Sequence, residues 1–205
     1  LPIRDTAQIR LLASATRQEI VDVLEVTGPC TIRALAAHLG RRPDALYYHI
    51  RLLRAGGLVV AVDDAQALDR RLARPEAVYD VALRPLSLAY EPADARNRAS
   101  VGAVVGTMLR TTERRFARAF RPGVATVAGE ARNLWAGRAQ GWLSPDDLRT
   151  VNQHVAAILT LLRRRRAASG AYAHAGDPAE GAALQEFTFV LAPRIGGGTR
   201  RREAR

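Results

Sequence analysis

The chain contains no lysine: all 31 of its basic residues are arginine. A bias of this kind follows from a GC-rich genome, so arginine abundance alone assigns no arginine-specific chemistry. One cysteine, Cys30, excludes an internal disulfide framework and any multi-cysteine metal site. It is read as an inert half-buried thiol, and a reducing, cytoplasmic location is expected. Aromatic residues are scarce, 11 of 205. The longest run free of charged residues, Thr150 to Leu162, has thirteen residues. A membrane-spanning helix needs roughly 17–25, so no membrane partner is expected. No basic segment followed by an apolar one opens the chain, and Leu1 in place of an initiator Met implies residues upstream. Catalytic signatures are missing too. There is no Gly-x-Ser-x-Gly, no P-loop and no dinucleotide-binding glycine motif after a strand. His38, His154 and His174 have no partner at i+3 or i+4. Neither an enzyme, nor a cofactor, nor a metal site is expected.

What remains is enough for a folded protein with an anionic partner. Of the 205 residues 48% are apolar, which supports one moderate domain or two small ones. The formal charge of +11 favours nucleic acid. The charge is uneven: +2 over residues 1–90 and +9 over 91–205. Much of the second figure comes from Arg163 to Arg166 and from the tail Arg200 to Arg205. The first of these is read as a solvated helix end matched to the dipole, ahead of a second DNA site.

The first half reads as four helices and a hairpin. A short apolar helix covers Ile9 to Ala13. Thr16 and Glu19 fit a capping box that opens a second helix, which Gly28-Pro29 stops. Thr31 caps a third, with Ile32, Leu35, Ala36 and Leu39 inward and Gly40 at its end. Pro43 opens a fourth, pinned by Leu46, Ile50 and Leu53 and closed by Gly56-Gly57. Leu58 to Val62 and Ala77 to Leu83 form a hairpin with a long polar tip. Residues 84–93, with two prolines, read as a linker.

The second half starts with an amphipathic helix from about Asp94 to Phe120, with Val101, Val104, Val105, Met108, Leu109, Phe116 and Phe120 as its stripe. One strand is expected within 124–143 and another over Leu184 to Leu191. Between them, Ser144-Pro145-Asp146-Asp147 is a strong helix start, followed by Leu148, Val151, Val155, Ile158, Leu159 and Leu162 at helical spacing. Both helical stripes are core or dimer interface. Trp135, Trp142, Phe187 and Phe189 serve either a plain core or an effector pocket.

The informative stretch is Thr31 to Val59: a helix, a tight turn, a second helix and a hairpin, the order of a winged helix-turn-helix. With Leu46, Ile50 and Leu53 inward, Asp44, Tyr47, Tyr48 and Arg51 face outward. Such a face can enter a major groove, with Arg51 reaching guanine or a phosphate and the tyrosines reaching phosphate or thymine methyls. Arg41 and Arg42 precede the helix, where backbone N–H groups favour phosphate. Arg70, Arg71 and Arg74 lie in the wing and either touch DNA or belong to a solvated loop. His49 is read as a structural residue that packs and hydrogen-bonds near the turn.

Thr31 to Gly40, followed by Ala45 to Val59, resembles ArsR-type winged-helix transcriptional regulators. The family pattern His-Leu-x-x-Leu-Arg-x-Ala-Gly-Leu-Val reads here His49-Ile50-Arg51-Leu52-Leu53-Arg54-Ala55-Gly56-Gly57-Leu58-Val59. Ile50 replaces Leu and Gly56 replaces Ala. Arg74 to Tyr79 is similar to the returning wing strand of one branch. The resemblance covers roughly 8–84. It implies a dimeric DNA-binding regulator, usually a repressor released by a signal. The Cys-x-Cys pair of the metal-sensing branch is absent, so the signal is expected to be something other than metal.

The expected architecture is thus α+β and mostly α. Residues 1–90 form a winged helix-turn-helix, 91–195 a C-terminal module for dimerisation and a candidate small-molecule effector, and 196–205 a flexible basic tail. The expected partner is double-stranded DNA carrying an imperfect palindrome, bound by a homodimer. The competing class is a protein-interaction adaptor built on the same winged helix.

Overall fold

The computed structural model describes residues 2–62, 76–164 and 184–193. Arg70, Arg71, Arg74, the side chains of Arg163 to Arg166, His174 and the basic tail lie outside the described residues.

Helix α1 (Thr6–Leu11) starts at Asp5, whose carboxylate accepts from the Ala7 N–H at 2.8 Å. Helix α2 (Ala15–Thr27) starts after Ser14, and the expected capping box does not form. Thr16 and Glu19 instead both accept hydrogen bonds from the Arg41 guanidinium. A charge-assisted bond to a guanidinium is roughly twice as strong as a neutral one, so it outcompetes the capping bond to a backbone N–H. Helix α3 (Ile32–Leu39) is capped as expected, with Thr31 Oγ1 accepting from Ala34 N at 3.2 Å. It ends on Gly40 at φ +60°, a left-handed conformation that lets Arg41 N turn back to Ala36 O at 2.9 Å. Helix α4 (Asp44–Ala55) follows Pro43.

The hairpin strands are β2 (Val59–Val62) and β3 (Val78–Val81), antiparallel with Val59 opposite Val81 and Val62 opposite Val78. Sequence reading did not find β1 (Cys30–Thr31), which joins the other edge of β3 to give the order β1-β3-β2. Two residues are too few for a period-2 signal.

The core gathers Ile9, Ile20, Leu24, Leu35, Leu46, Leu53 and Val59 between the helices and this sheet. Each such side chain contributes about 1.5–3 kcal/mol by leaving water. Residues 84–93, expected as a linker, are docked. Ile3 N–H donates to Ser87 O at 2.8 Å, and Ala89 N–H donates to Ile3 O at 2.9 Å. Leu86 N–H donates to Glu25 at 2.6 Å. Arg84 reaches the buried Asp80 and the Leu24 carbonyl, tying β3 to α2.

Helix α5 (Ala95–Ala119) has the expected length but buries a different face. Its inward residues are Asn97, Ser100, Val104, Thr107 and Thr111, whereas Leu109 and Phe120 are exposed. Small residues let α5 approach α1 closely, and Thr107 satisfies a backbone carbonyl there, whereas the buried Ser100 Oγ has no hydrogen-bond partner. Thr107 donates to Ala13 O at 3.0 Å, and Gln18 from α2 donates to Val104 O at 3.0 Å. Val104 therefore belongs to the same core as the helix-turn-helix.

No described residue from 121 to 162 is buried. Residues 124–143 contain no strand, correcting the expectation. Helix α6 (Pro145–Arg164) starts as expected, with Ser144 and Asp147 exchanging hydrogen bonds at 2.6 to 3.2 Å. Those bonds hold the Asp147 carboxyl below its usual range. Residues 184–191 are not a strand either. Alternation is present, but among the described residues no strand lies beside the segment to complete a ladder. Instead it lies against α5, where Thr188 Oγ1 is 2.9 Å from Thr112 Oγ1.

Candidate nucleic-acid interface

Burial of Leu46, Ile50 and Leu53 fixes the rotation of α4 about its axis. Asp44, Tyr47, Tyr48 and Arg51 consequently face solvent, and both tyrosine side chains are 55% exposed. The Arg51 guanidinium lies 5.7 Å from the centroid of the Tyr48 ring, a cation–π distance that limits its freedom before any ligand arrives. Arg54, one turn on, sits at the same distance over Tyr79 of β3. Arg54 is the arginine of the family pattern but is not among the expected DNA contacts; its aromatic partner comes from the hairpin.

The turn before α4 carries two arginines with different fates. Arg42 is exposed and pairs loosely with Asp44 at 3.4 Å. Arg41 is held, with Nη1 donating to Thr16 Oγ1 at 3.0 Å and Nη2 to Glu19 Oε2 at 2.5 Å. Thr31 spends its oxygen as an acceptor on the α3 cap, leaving its hydroxyl proton available to an outside acceptor.

His49 packs edge-on to Tyr48 with ring centroids 5.5 Å apart, but its Nδ1 is buried and without a hydrogen-bond partner. The expected hydrogen bond is thus not made at Nδ1. Burial, followed by the charges of Arg17 and Arg41, lowers its pKa, disfavouring the charged ring.

Residues 12–62 match the family model of a helix-turn-helix domain. The match runs from α2 through β2, so it covers the two helices and the turn that present Arg41, Arg42, Tyr47, Tyr48 and Arg51. A helix-turn-helix points to a DNA-binding regulator. The chain matches no curated protein.

Outside the helix-turn-helix, the four aromatic residues expected in a core or pocket are exposed among the described residues. Trp142 is 89% exposed and Trp135 70%. Arg132 stacks on the Trp135 ring at 3.6 Å, and Phe187 stacks on Phe189 at 5.6 Å. No helix among the described residues is long and apolar enough to cross a membrane.

Cys30 behaves as anticipated for a buried thiol. Burial pushes its pKa up to about 11, against a hydrogen bond with Thr27 that lowers it. The thiolate is the reactive form, so the folded protein should resist Ellman's reagent at pH 8 and react fully once denatured. Rapid modification of the native chain would contradict the burial. The raised pKa also makes the neutral thiol's share of stability fall as pH rises from the unfolded value toward 11.

Proposed function

We propose that the protein is a sequence-specific DNA-binding transcriptional regulator, acting as a dimeric repressor on an imperfect palindrome. The observation that supports this most is the solvent-facing side of α4, with Tyr47, Tyr48 and Arg51 in line, inside a segment that matches a helix-turn-helix domain. Residues 1–90 then carry DNA recognition and 91–195 dimerisation, with α5 linking the two because its first half packs in the N-terminal core. The expected DNA contacts are Arg41, Arg42, Tyr47, Tyr48 and Arg51, with Thr31 and Asp44 at the margins and Arg70, Arg71 and Arg74 from the wing.

Support for a homodimer comes from α6. Leu148, Val151, Val155, Ile158 and Leu162 recur at alternating spacings of three and four, the pattern by which one helix pairs with another. Among the described residues this row is left without full cover: Leu148, Ile158 and Leu162 are exposed, and Val151 and Val155 are half-buried. Release by a small-molecule effector is the regulatory mode that the ArsR-type resemblance carries. The setting is cytoplasmic, and the role is binding without catalysis.

Selection of bound duplexes from a random pool, repeated at two salt concentrations, tests the proposal. The expected result is an enriched palindrome with half-sites about one helical turn, ~34 Å, apart. Bound DNA with no consensus, or no bound DNA, would favour the protein-interaction adaptor instead.

A further inference from the structure

The hold on Arg41 continues across the molecule. Glu19 Oε2 accepts from Arg41, while its other oxygen, Oε1, lies 3.5 Å from Arg115 Nη2 of α5. Arg115 Nη1 in turn donates to Glu186 of the extended segment 184–193. Glu186 is fixed there by Thr112 Oγ1 at 2.9 Å and Thr188 Oγ1 at 3.1 Å. Arg41, Glu19, Arg115 and Glu186 form one line of alternating charge, with the neutral Thr16 hydroxyl beside Arg41 at its end. It runs from the C-terminal segment, through α5 and α2, to the turn that opens α4. Asp22 on α2 lies in the field of the same groups.

The two ends of this line are unequal. Partial burial disfavours the Glu186 carboxylate, but hydrogen bonds from Arg115, Thr112 and Thr188 outweigh it and keep the carboxyl below its usual range. Arg115 is therefore drawn toward Glu186 and only grazes Glu19. Glu19, with a side chain 16% exposed, is left to neutralise Arg41. A DNA phosphate and the Glu19 carboxylate compete for the same guanidinium donors.

Resting on the DNA-binding reading above, we propose that Glu19 and Arg115 are positioning residues that set how readily Arg41 is released to a phosphate. Segment 184–193, through Glu186, decides how Arg115 divides itself between two carboxylates. If Glu186 lets go, Arg115 turns onto Glu19 and Arg41 is freed. If Arg115 is lost, Glu19 closes on Arg41 alone. A change in the C-terminal half thus reaches the recognition helix without moving a helix.

The test is equilibrium binding of the full chain to a random-sequence duplex over a salt series, arranged as double-mutant cycles with Arg41→Ala. Glu186→Gln and Glu19→Gln are each expected to tighten binding about threefold or more, and Arg115→Met to weaken it as much. All three effects should vanish in the Arg41→Ala background. Long-range charge alone would produce the same changes whether Arg41 is present or not, so equal effects in both backgrounds overturn the relay and leave the DNA-binding reading standing. No duplex binding by the unmodified chain at low salt overturns both. Glu186→Gln keeps an acceptor for Thr112 on an exposed segment, so its result stands even if Arg115→Met fails to fold.

Discussion

Arg51→Ala is expected to lower affinity for the selected operator by about 5- to 150-fold, the equivalent of ~1–3 kcal/mol for a lost bidentate base contact. Specificity should relax at a single base position in each half-site. The expectation follows from placement. Arg51 is on the exposed side of α4, opposite Leu46, Ile50 and Leu53, and its guanidinium is already steered by the Tyr48 ring. Because the side chain is exposed, thermal stability should change little. Arg51→Lys should not restore specificity, since an ammonium cannot make the planar two-point contact. A loss that is uniform over all sequences, with a reduced salt slope, would move Arg51 from base reading to phosphate contact. Unchanged operator binding would remove α4 from the groove.

The helix-turn-helix was legible because its signals are local and redundant. Thr31 as cap, Gly40 as stop and the Leu46, Ile50, Leu53 stripe each fix one feature of α3 and α4, and they agree. Signals failed where one residue had two uses. Thr16 and Glu19 fit a capping box, yet a distant guanidinium competes better for both oxygens, and Ser14 takes the N-terminal position. In α5, the apolar spacing predicts an apolar inward face, whereas the buried face is Asn97, Ser100, Thr107 and Thr111 around Val104. Hydroxyl and amide groups that bond to backbone carbonyls across an interface carry no hydropathy signal. Phe187 and Phe189 alternate as a strand would, but alternation cannot supply the neighbouring edge that a strand requires.

Gly56 departs from the family pattern, and the structure supplies a reason. A Cβ there would lie 2.2 Å from Leu11 Cδ1 of α1, so alanine would force Leu11 to move. Gln8 of the same helix donates to the Gly56 carbonyl at 2.7 Å, so α1 closes directly over the end of α4. The departure is thus tied to how the N-terminal helix seats on α4. It touches none of the expected DNA contacts.

The largest effect is expected from α6. Ile158→Glu should halve the solution mass measured by light scattering and lower operator affinity by about 10²–10⁴-fold, because two half-sites held by one dimer gain that much over separate binding. An isolated helix shorter than about 12–15 residues is marginal in water, and a longer one of mixed composition gains most of its stability from packing its apolar face. Helix α6 has twenty residues, an apolar row from Leu148 to Leu162 and no buried side chain among the described residues. Its N-terminal capping bonds contribute, but surface caps are worth only ~1 kcal/mol. A second copy supplies a complementary row at once, since a two-fold axis sets the stripe against itself. Gln153→Glu, on the opposite side of the same helix, should leave both mass and affinity unchanged. If the unmodified chain has the mass of one protomer while still selecting a palindrome, α6 is not the dimer contact.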